Sequence, residues 1–357
     1  MPWQYRICPR TLHFKEPAGT SRGVYTTRDV WYIVLFNRTK RCFGVGECAP
    51  LPDLSCDAGP DYEKRLDEVC QTFVKSGDIH SVPEDCPSMR FGLETALLHA
   101  RAESVRFFRT PFSRGSEDLA INGLVWMGDR DTMKARIETK LAQGFRCIKC
   151  KIGGIDFESE LELLASIRER FPDPAELELR LDANGAFSVE EAPARLEALA
   201  KFAPHSIEQP IRQGQWEAMA ELCRASPIPI ALDEELINVP KVRKADLMDC
   251  IRPQYLVLKP SLHGGLRGCE QWMDQAASHE CGCWVTSALE SNIGLNAIAQ
   301  WCGTKHWDLA QGLGTGQLFT DNCEIMPLRL QGSGLHCDPE APEPDLLAWL
   351  GINTPLF

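Results

Sequence analysis

No run of 18 apolar residues occurs in the sequence, which excludes a membrane-spanning helix of ordinary length. The first twenty residues are broken by Pro2, Arg6, Pro9, Arg10 and Lys15 and hold no apolar segment of the kind that directs export, so a cytoplasmic protein is expected. Long runs of one charge are missing too. Asp and Glu number 50 against 38 Lys and Arg, a net charge of −12, which argues against nucleic acid or an anionic membrane as a partner. Neither a low-complexity linker nor an internal repeat is visible. The eight histidines show no metal-ligand spacing; only His205, just before Glu208, falls near a strand end with an acidic neighbour. Cysteine is plentiful at 16, but the residues are scattered singly, many inside apolar runs, and lack the tight framework of a small secreted domain. They read as reduced, mostly buried thiols. What remains is a soluble enzyme or a protein that binds small molecules.

With 357 residues the chain is long enough for a full β/α barrel, about 250 residues, and something smaller. Residues 1 to about 50 alternate as an antiparallel meander, with strands at Tyr5 to Cys8, Asp29 to Phe36 and Cys42 to Glu47. Between the first two lies a polar loop, residues 15–23, of the type that closes over sites. Helical periodicity follows at 61–75 and 88–106, and strands followed by helices make an α+β domain. From Ser116 strands and helices alternate. Strands are expected at 119–126 and near 145–151, 177–183, 205–208, 228–233, 254–259, 282–286 and 307–309. Eight strands close a barrel. The expected division is an α+β capping domain over 1–115, joined by 321–357, and a (β/α)8-type barrel over 116–320.

Five of these strands end on a charge: Lys151, Asp182, Glu208, Asp233 and Lys259, at steps of 31, 26, 25 and 26. That spacing fits one strand, one helix and two short loops. Strands buried on both faces have no structural use for an ion, whereas a barrel carries its catalytic groups at strand carboxyl ends. Lys149 and Lys151 share one face of their strand, while Ile148 and Ile152 take the other, so both lysines should face the barrel interior. Cys147 and Cys150 fall on opposite faces and make no redox pair. Two ammonium groups so close are expected to depress each other's pKa and yield a neutral base near pH 7. Asp182, Glu208 and Asp233 offer only hard oxygen ligands, which select Mg²⁺ or Mn²⁺ over zinc. Arg180 and Asn184 share the inward parity of Asp182 and are candidates to reach substrate or to support the ligands. Glu234 and Glu235 follow Asp233 directly and have an alternative claim on the metal or on a lysine.

This constellation resembles the enolase superfamily and, within it, the muconate lactonizing enzyme subgroup, which carries Lys-x-Lys on the second barrel strand, metal carboxylates on the next three and a lysine on the sixth. The segments Gly46 to Pro52, Leu181 to Asn184, Leu258 to Ser261 and Ser287 to Gly294 are most similar to the o-succinylbenzoate synthase family. The resemblance implies a lyase acting on a small-molecule carboxylate. Asp182, Glu208 and Asp233 would hold Mg²⁺, Lys151 would be the base, Lys259 would stabilise an enolate and Lys149 would tune Lys151. Arg22, in the loop before Gly23, would close over the substrate, and Ser287 to Ser291 would help bind a substrate carboxylate. The alternative within the superfamily is an N-acylamino acid racemase or dipeptide epimerase. Dipeptide epimerases carry an Asp-x-Asp on the last strand, and Gly312-Leu313-Gly314-Thr315-Gly316 has none.

Overall fold

A computed structural model of the chain describes residues 3–20 and 23–357. Its opening sheet is antiparallel, β1 (Trp3–Thr20), β2 (Gly23–Asn37) and β3 (Cys42–Cys48) in that order. The first two strands run further than their hydrophobic alternation predicts. They pair through Ala18 with Tyr25, Gly19 with Val24 and Thr20 with Gly23, so most of the expected loop is a two-stranded arm. Main-chain hydrogen bonds build this arm without a core signal in the side chains. A register shift between His13 and Ala18 takes up Pro17, which has no N–H to give to a ladder. Arg22, at the tip expected to close over substrate, lies outside the described residues.

Helices α1 (Tyr62–Ser76) and α2 (Pro87–Ala102) cover one face of this sheet. Ile33 and Leu35 pack there against Leu66, Phe73, Met89 and Leu93, all fully buried. Gly44 and Gly46 of β3 allow α2 to lie directly on the strand. A Cβ at either position would fall inside van der Waals contact with the carbonyl oxygens of Ala96 or Gly92.

The alternating region begins with a strand that the structure divides in two. β4 (Leu119–Ala120) leaves for another sheet, and β5 (Gly123–Val125) starts the barrel. There follow α3 (Arg130–Ala142), β6 (Cys147–Lys151), α4 (Phe157–Arg170), β7 (Glu178–Asp182), α5 (Ala192–Ala200), β8 (Ser206–Glu208), α6 (Trp216–Ala225) and β9 (Ile230–Leu232). The second half has α7 (Lys244–Ile251), β10 (Tyr255–Leu258), α8 (Gly265–Ser278), β11 (Gly282–Val285) and α9 (Asn292–Cys302). The side chains of Asp129 and Asp156 cap α3 and α4 by accepting from the N–H groups of Thr132 and Ser159. Strands β5 to β11 lie side by side, all parallel, in chain order. Gln311 and Gly312 close the ring. Gln311 bridges Ile121 and Gly312 bridges Thr286, slightly later in the chain than the expected strand at 307–309. Ile148, Cys150 and Ile152 sit in the core between strands and helices, so the lysines between them face inward as their parity requires.

The tail divides between the two layers. β12 (Leu328–Gln331) and β13 (Gly334–Cys337) form a hairpin that pairs with β4, and Leu335 and Cys337 join the barrel core. Cys323, Met326, Leu356 and Leu346 of α10 (Leu346–Trp349) instead pack with Leu12, Tyr32 and Val34 on the second face of the opening sheet. Residues 321–357 thus divide: these flanking segments pack on the N-terminal layer, and the hairpin, its edge satisfied by β4, packs on the barrel. Among the described residues no helix is long and apolar enough to cross a membrane.

Candidate active site

Strand register sets the charged residues in a row. Lys151 is paired beside Asp182, and Asp182 beside Glu208; Asp233 and Lys259 follow immediately after β9 and β10. Asp182, Glu208 and Asp233 are all buried, and each offers a carboxylate oxygen within 4.8 Å of the others. Bond lengths of about 2.0–2.1 Å to Mg²⁺ place ligand oxygens roughly 3–4 Å apart, so a closing shift of under about 1 Å would let the group surround one ion. Its donor set is all hard oxygen. Among the described residues Glu208 Oε1 and Asp233 Oδ1 are buried and make no hydrogen bond, which is costly for a carboxylate and suits atoms that converge on a cation. On both counts the residues fit a divalent metal.

The lysines answer part of that negative charge. Lys149 Nζ lies 2.9 Å from Asp182 Oδ2 and also donates to Glu208 Oε2. Lys151 Nζ donates to the same Asp182 oxygen at 3.0 Å and to Asn184 Oδ1 at 2.6 Å. Lys259 Nζ reaches Asp233 Oδ2 at 2.5 Å. The expected depression of Lys149 by its neighbour is overturned. Burial pulls its pKa down, but the charges of Asp182 and Glu208 outweigh burial and hold the ammonium above its ordinary value. Lys259 is likewise raised: burial opposes the charge, and Asp233 and Glu234 prevail. Burial would raise Asp182, yet Lys149 and Lys151 hold it well below the carboxylate range. Glu208 goes the other way, pushed up to about 7 by burial against the pull of Lys149, with the charges of Asp182 and Asp233 adding to the rise.

A cavity opens over this group, and Lys149, Lys151, Asp182, Asn184, Lys259 and Ser287 all line it. Glu234 lines it too and accepts from Asn184 Nδ2 at 3.0 Å, while Glu235 turns away to accept from the Gly214 N–H at 2.7 Å and from Gln209 Nε2 at 3.2 Å. That separates the two acids left open by the sequence. Gln209, fully buried at φ 40°, also accepts from the N–H groups of Asp233 and Glu235. Its neutral amide both donates and accepts, so it fixes the turn that presents Asp233.

Two expected substrate residues lie elsewhere. Arg180, fully buried, donates to Glu178 Oε1 at 2.6 Å and to the Ala310 carbonyl at 2.8 Å, and its guanidinium lies 4.3 Å from the Trp284 ring centre. Its parity is right, but it stands two residues deeper in the barrel. Ser291 caps α9 and gives its hydroxyl to Glu47 of β3, behind the cavity wall. Ser287 reaches the cavity, yet its hydroxyl donates to Glu290 Oε2 at 2.7 Å and accepts from the Leu289 N–H at 2.9 Å. Its one proton is already engaged. Sequence reasoning missed Trp126, whose ring centre lies 5.7 Å from Lys151 Nζ, and the buried wall residues Asn122 and Thr315. The position of Trp126, just beyond β5 at the same end as Lys151, was the available signal.

Residues 132–330 match the family described as "Enolase C-terminal domain-like", and residues 21–100 match "MenC, N-terminal domain". An o-succinylbenzoate synthase of Desulfotalea psychrophila is 45% identical over 344 residues, 87% of this chain and 93% of that protein. The crystal structure of MenC from the same organism superposes with a TM-score of 0.81 at 40% identity, covering 94% of this chain and 100% of that one. The L-Ala-D/L-Glu epimerase of Bacillus subtilis, 19% identical with a TM-score of 0.82 over 95% of this chain and 97% of its own, shares the fold. The chain belongs to the enolase superfamily and, within it, to the o-succinylbenzoate synthase family.

Proposed function

We propose that the chain dehydrates 2-succinyl-6-hydroxy-2,4-cyclohexadiene-1-carboxylate to o-succinylbenzoate, a step toward menaquinone, with Mg²⁺ held by Asp182, Glu208 and Asp233. The observation that carries this reading is the pair of lysines facing one another across a buried carboxylate group: Lys151 from the second strand of the ring, Lys259 from the sixth. When bound, the metal supplies positive charge to a substrate carboxylate. Lys151 takes the weakly acidic proton α to that carboxylate, and the Lys259 ammonium meets the developing enolate from the opposite face. The β C–O bond then breaks, the hydroxyl leaves with a proton as water, and the ring becomes aromatic. Asn184, bonded to both Lys151 and Glu234, would hold the base in line. Residues 116–320 would carry this chemistry, and 1–115 with much of 321–357 would cover the mouth, with Arg22 closing over the substrate.

The same opposed lysines support a second reading, racemisation of N-acylamino acids by two bases. Assay of the purified protein with the cyclohexadiene substrate beside a panel of N-succinylamino acids decides between them. Dehydration far above racemisation is expected, and racemisation alone would discard the first reading.

A further inference from the structure

A second cavity, about 570 Å³, shares no lining residue with the first and lies between α2 and the segments that follow β9 and β10. Four cations lie on its wall: Arg90 from α2, Lys241 from the turn before α7, Lys244 at the start of α7 and Arg267 at the start of α8. Among the described residues none of them forms an ion pair with a carboxylate. Arg90 donates to the carbonyls of Ile79 and Val82, and Lys244 Nζ donates to the Gly268 carbonyl at 2.9 Å and to Gln271 Oε1 at 3.2 Å. Arg267 Nη1 meets His80 Nε2 at 2.6 Å. Two carboxylates share the wall. Asp85 is already paired with Arg65 at 2.7 Å, and Glu84 accepts from the Lys241 N–H at 3.4 Å.

This is a surplus of donors in a chain whose net charge is −12, so composition does not explain it. Lys244 is 5% exposed, donates only to neutral acceptors and lies 4.7 Å from the Trp272 ring, and burial pushes its pKa down to about 8 against the charge of Glu84. A buried cation without a counter-ion is costly to keep. His263, on the same wall, adds a link to the first site. Its Nδ1 accepts from the Lys259 N–H at 3.0 Å, which leaves the proton of the neutral ring on Nε2, a buried atom with no partner among the described residues.

We propose that this cavity binds a small multivalent anion bearing phosphate or carboxylate groups, and that its occupancy is felt at Lys259 through His263. The binding stands apart from the dehydration reading; the effect on turnover rests on it. Calorimetric titration of the full chain with inorganic phosphate, and separately with succinate, distinguishes the two ligand chemistries. One saturable site for at least one anion is expected, weakened at least about tenfold in Lys244→Met and in the exposed-site variant Arg267→Gln, and intact in Asp233→Asn. Failure of both anions to saturate, wild-type affinity in both variants, or loss of binding in Asp233→Asn would overturn the site. Saturating anion should change kcat at least about twofold in the wild type and not in Lys244→Met; an equal response in both removes the link to Lys259.

Discussion

Two residues apart on β7, Arg180 and Asp182 point to the same side of the sheet and serve opposite ends of the barrel. At the foot, Arg180 is matched to Glu178, a carbonyl and the face of Trp284, while the His205 ring packs 4.8 Å from Tyr255 close by. Glu178 titrates below the usual carboxylate range because Arg180 and then His205 overcome its burial. At the mouth, three carboxylates meet three lysines and, among the described residues, still leave Glu208 Oε1 and Asp233 Oδ1 without a hydrogen bond. The foot also leaves an atom over, Arg180 Nη2, but only the mouth gathers its unsatisfied atoms on converging carboxylates, which is what a bound cation needs.

The sharpest test of that contrast is Lys151→Arg. A guanidinium keeps the charge near Asp182 but cannot take a proton near neutrality, so dehydration and solvent exchange of the substrate α-proton should both fall beyond detection, at least about 10⁴-fold. Dehydration at near wild-type rate would move the base to Lys149 or Lys259. Chelation comes next. EDTA should remove activity and Mg²⁺ or Mn²⁺ restore it, and Asp233→Asn should behave like the chelated enzyme. Because Glu208 sits at about 7 and must ionise to ligate, metal affinity should weaken as the pH drops below 7, which a titration at pH 6 and pH 8 would show.

Gln209→Glu sharpens the comparison by placing a carboxylate against Glu235 and removing the donor that now faces it. A loss of about 10- to 100-fold in metal affinity is expected, with all three ligands still present. For the arm, Arg22→Ala should lower kcat/KM at least about tenfold, roughly 1.4 kcal/mol, with Tm almost unchanged; unaltered kinetics would make the arm an ordinary hairpin. The smallest kinetic effect should come from the foot. Arg180→Met leaves Glu178 without its strongest partner and should cost about 2 kcal/mol of stability, seen in urea unfolding, while kcat/KM per folded molecule stays within about threefold. A large kinetic loss at unchanged stability would erase the distinction between the two ends.

Period 2 sets the face of every charged strand residue, which is why the inward side of Lys149, Lys151 and Asp182 is legible in the sequence. It says nothing about depth, and Arg180 was misplaced for that reason. The β/α rhythm located the barrel strands because each is a short apolar run bounded by charge. The arm over residues 18–20 and 23–25 was not legible, since backbone pairing holds it and its side chains carry little burial signal. The resemblance implied that Ser287 and Ser291 would help bind a substrate carboxylate. Only the positions of Glu290 and Glu47, far apart in sequence from one or other partner, show that their hydroxyls are already committed.

Glu47 has a wider consequence. Its carboxylate accepts from the N–H groups of Ser291 and Gly294 and from the Ser291 hydroxyl, so the end of β3 is fastened to the first turn of α9 across a dry contact. Neither layer can open there without exposing a buried acid and stripping a helix of its cap. Unfolding is thereby made cooperative across the seam, and the amides of β3 and α9 should exchange with solvent as one protected unit, on a single timescale, although 244 residues of chain separate Glu47 from Ser291.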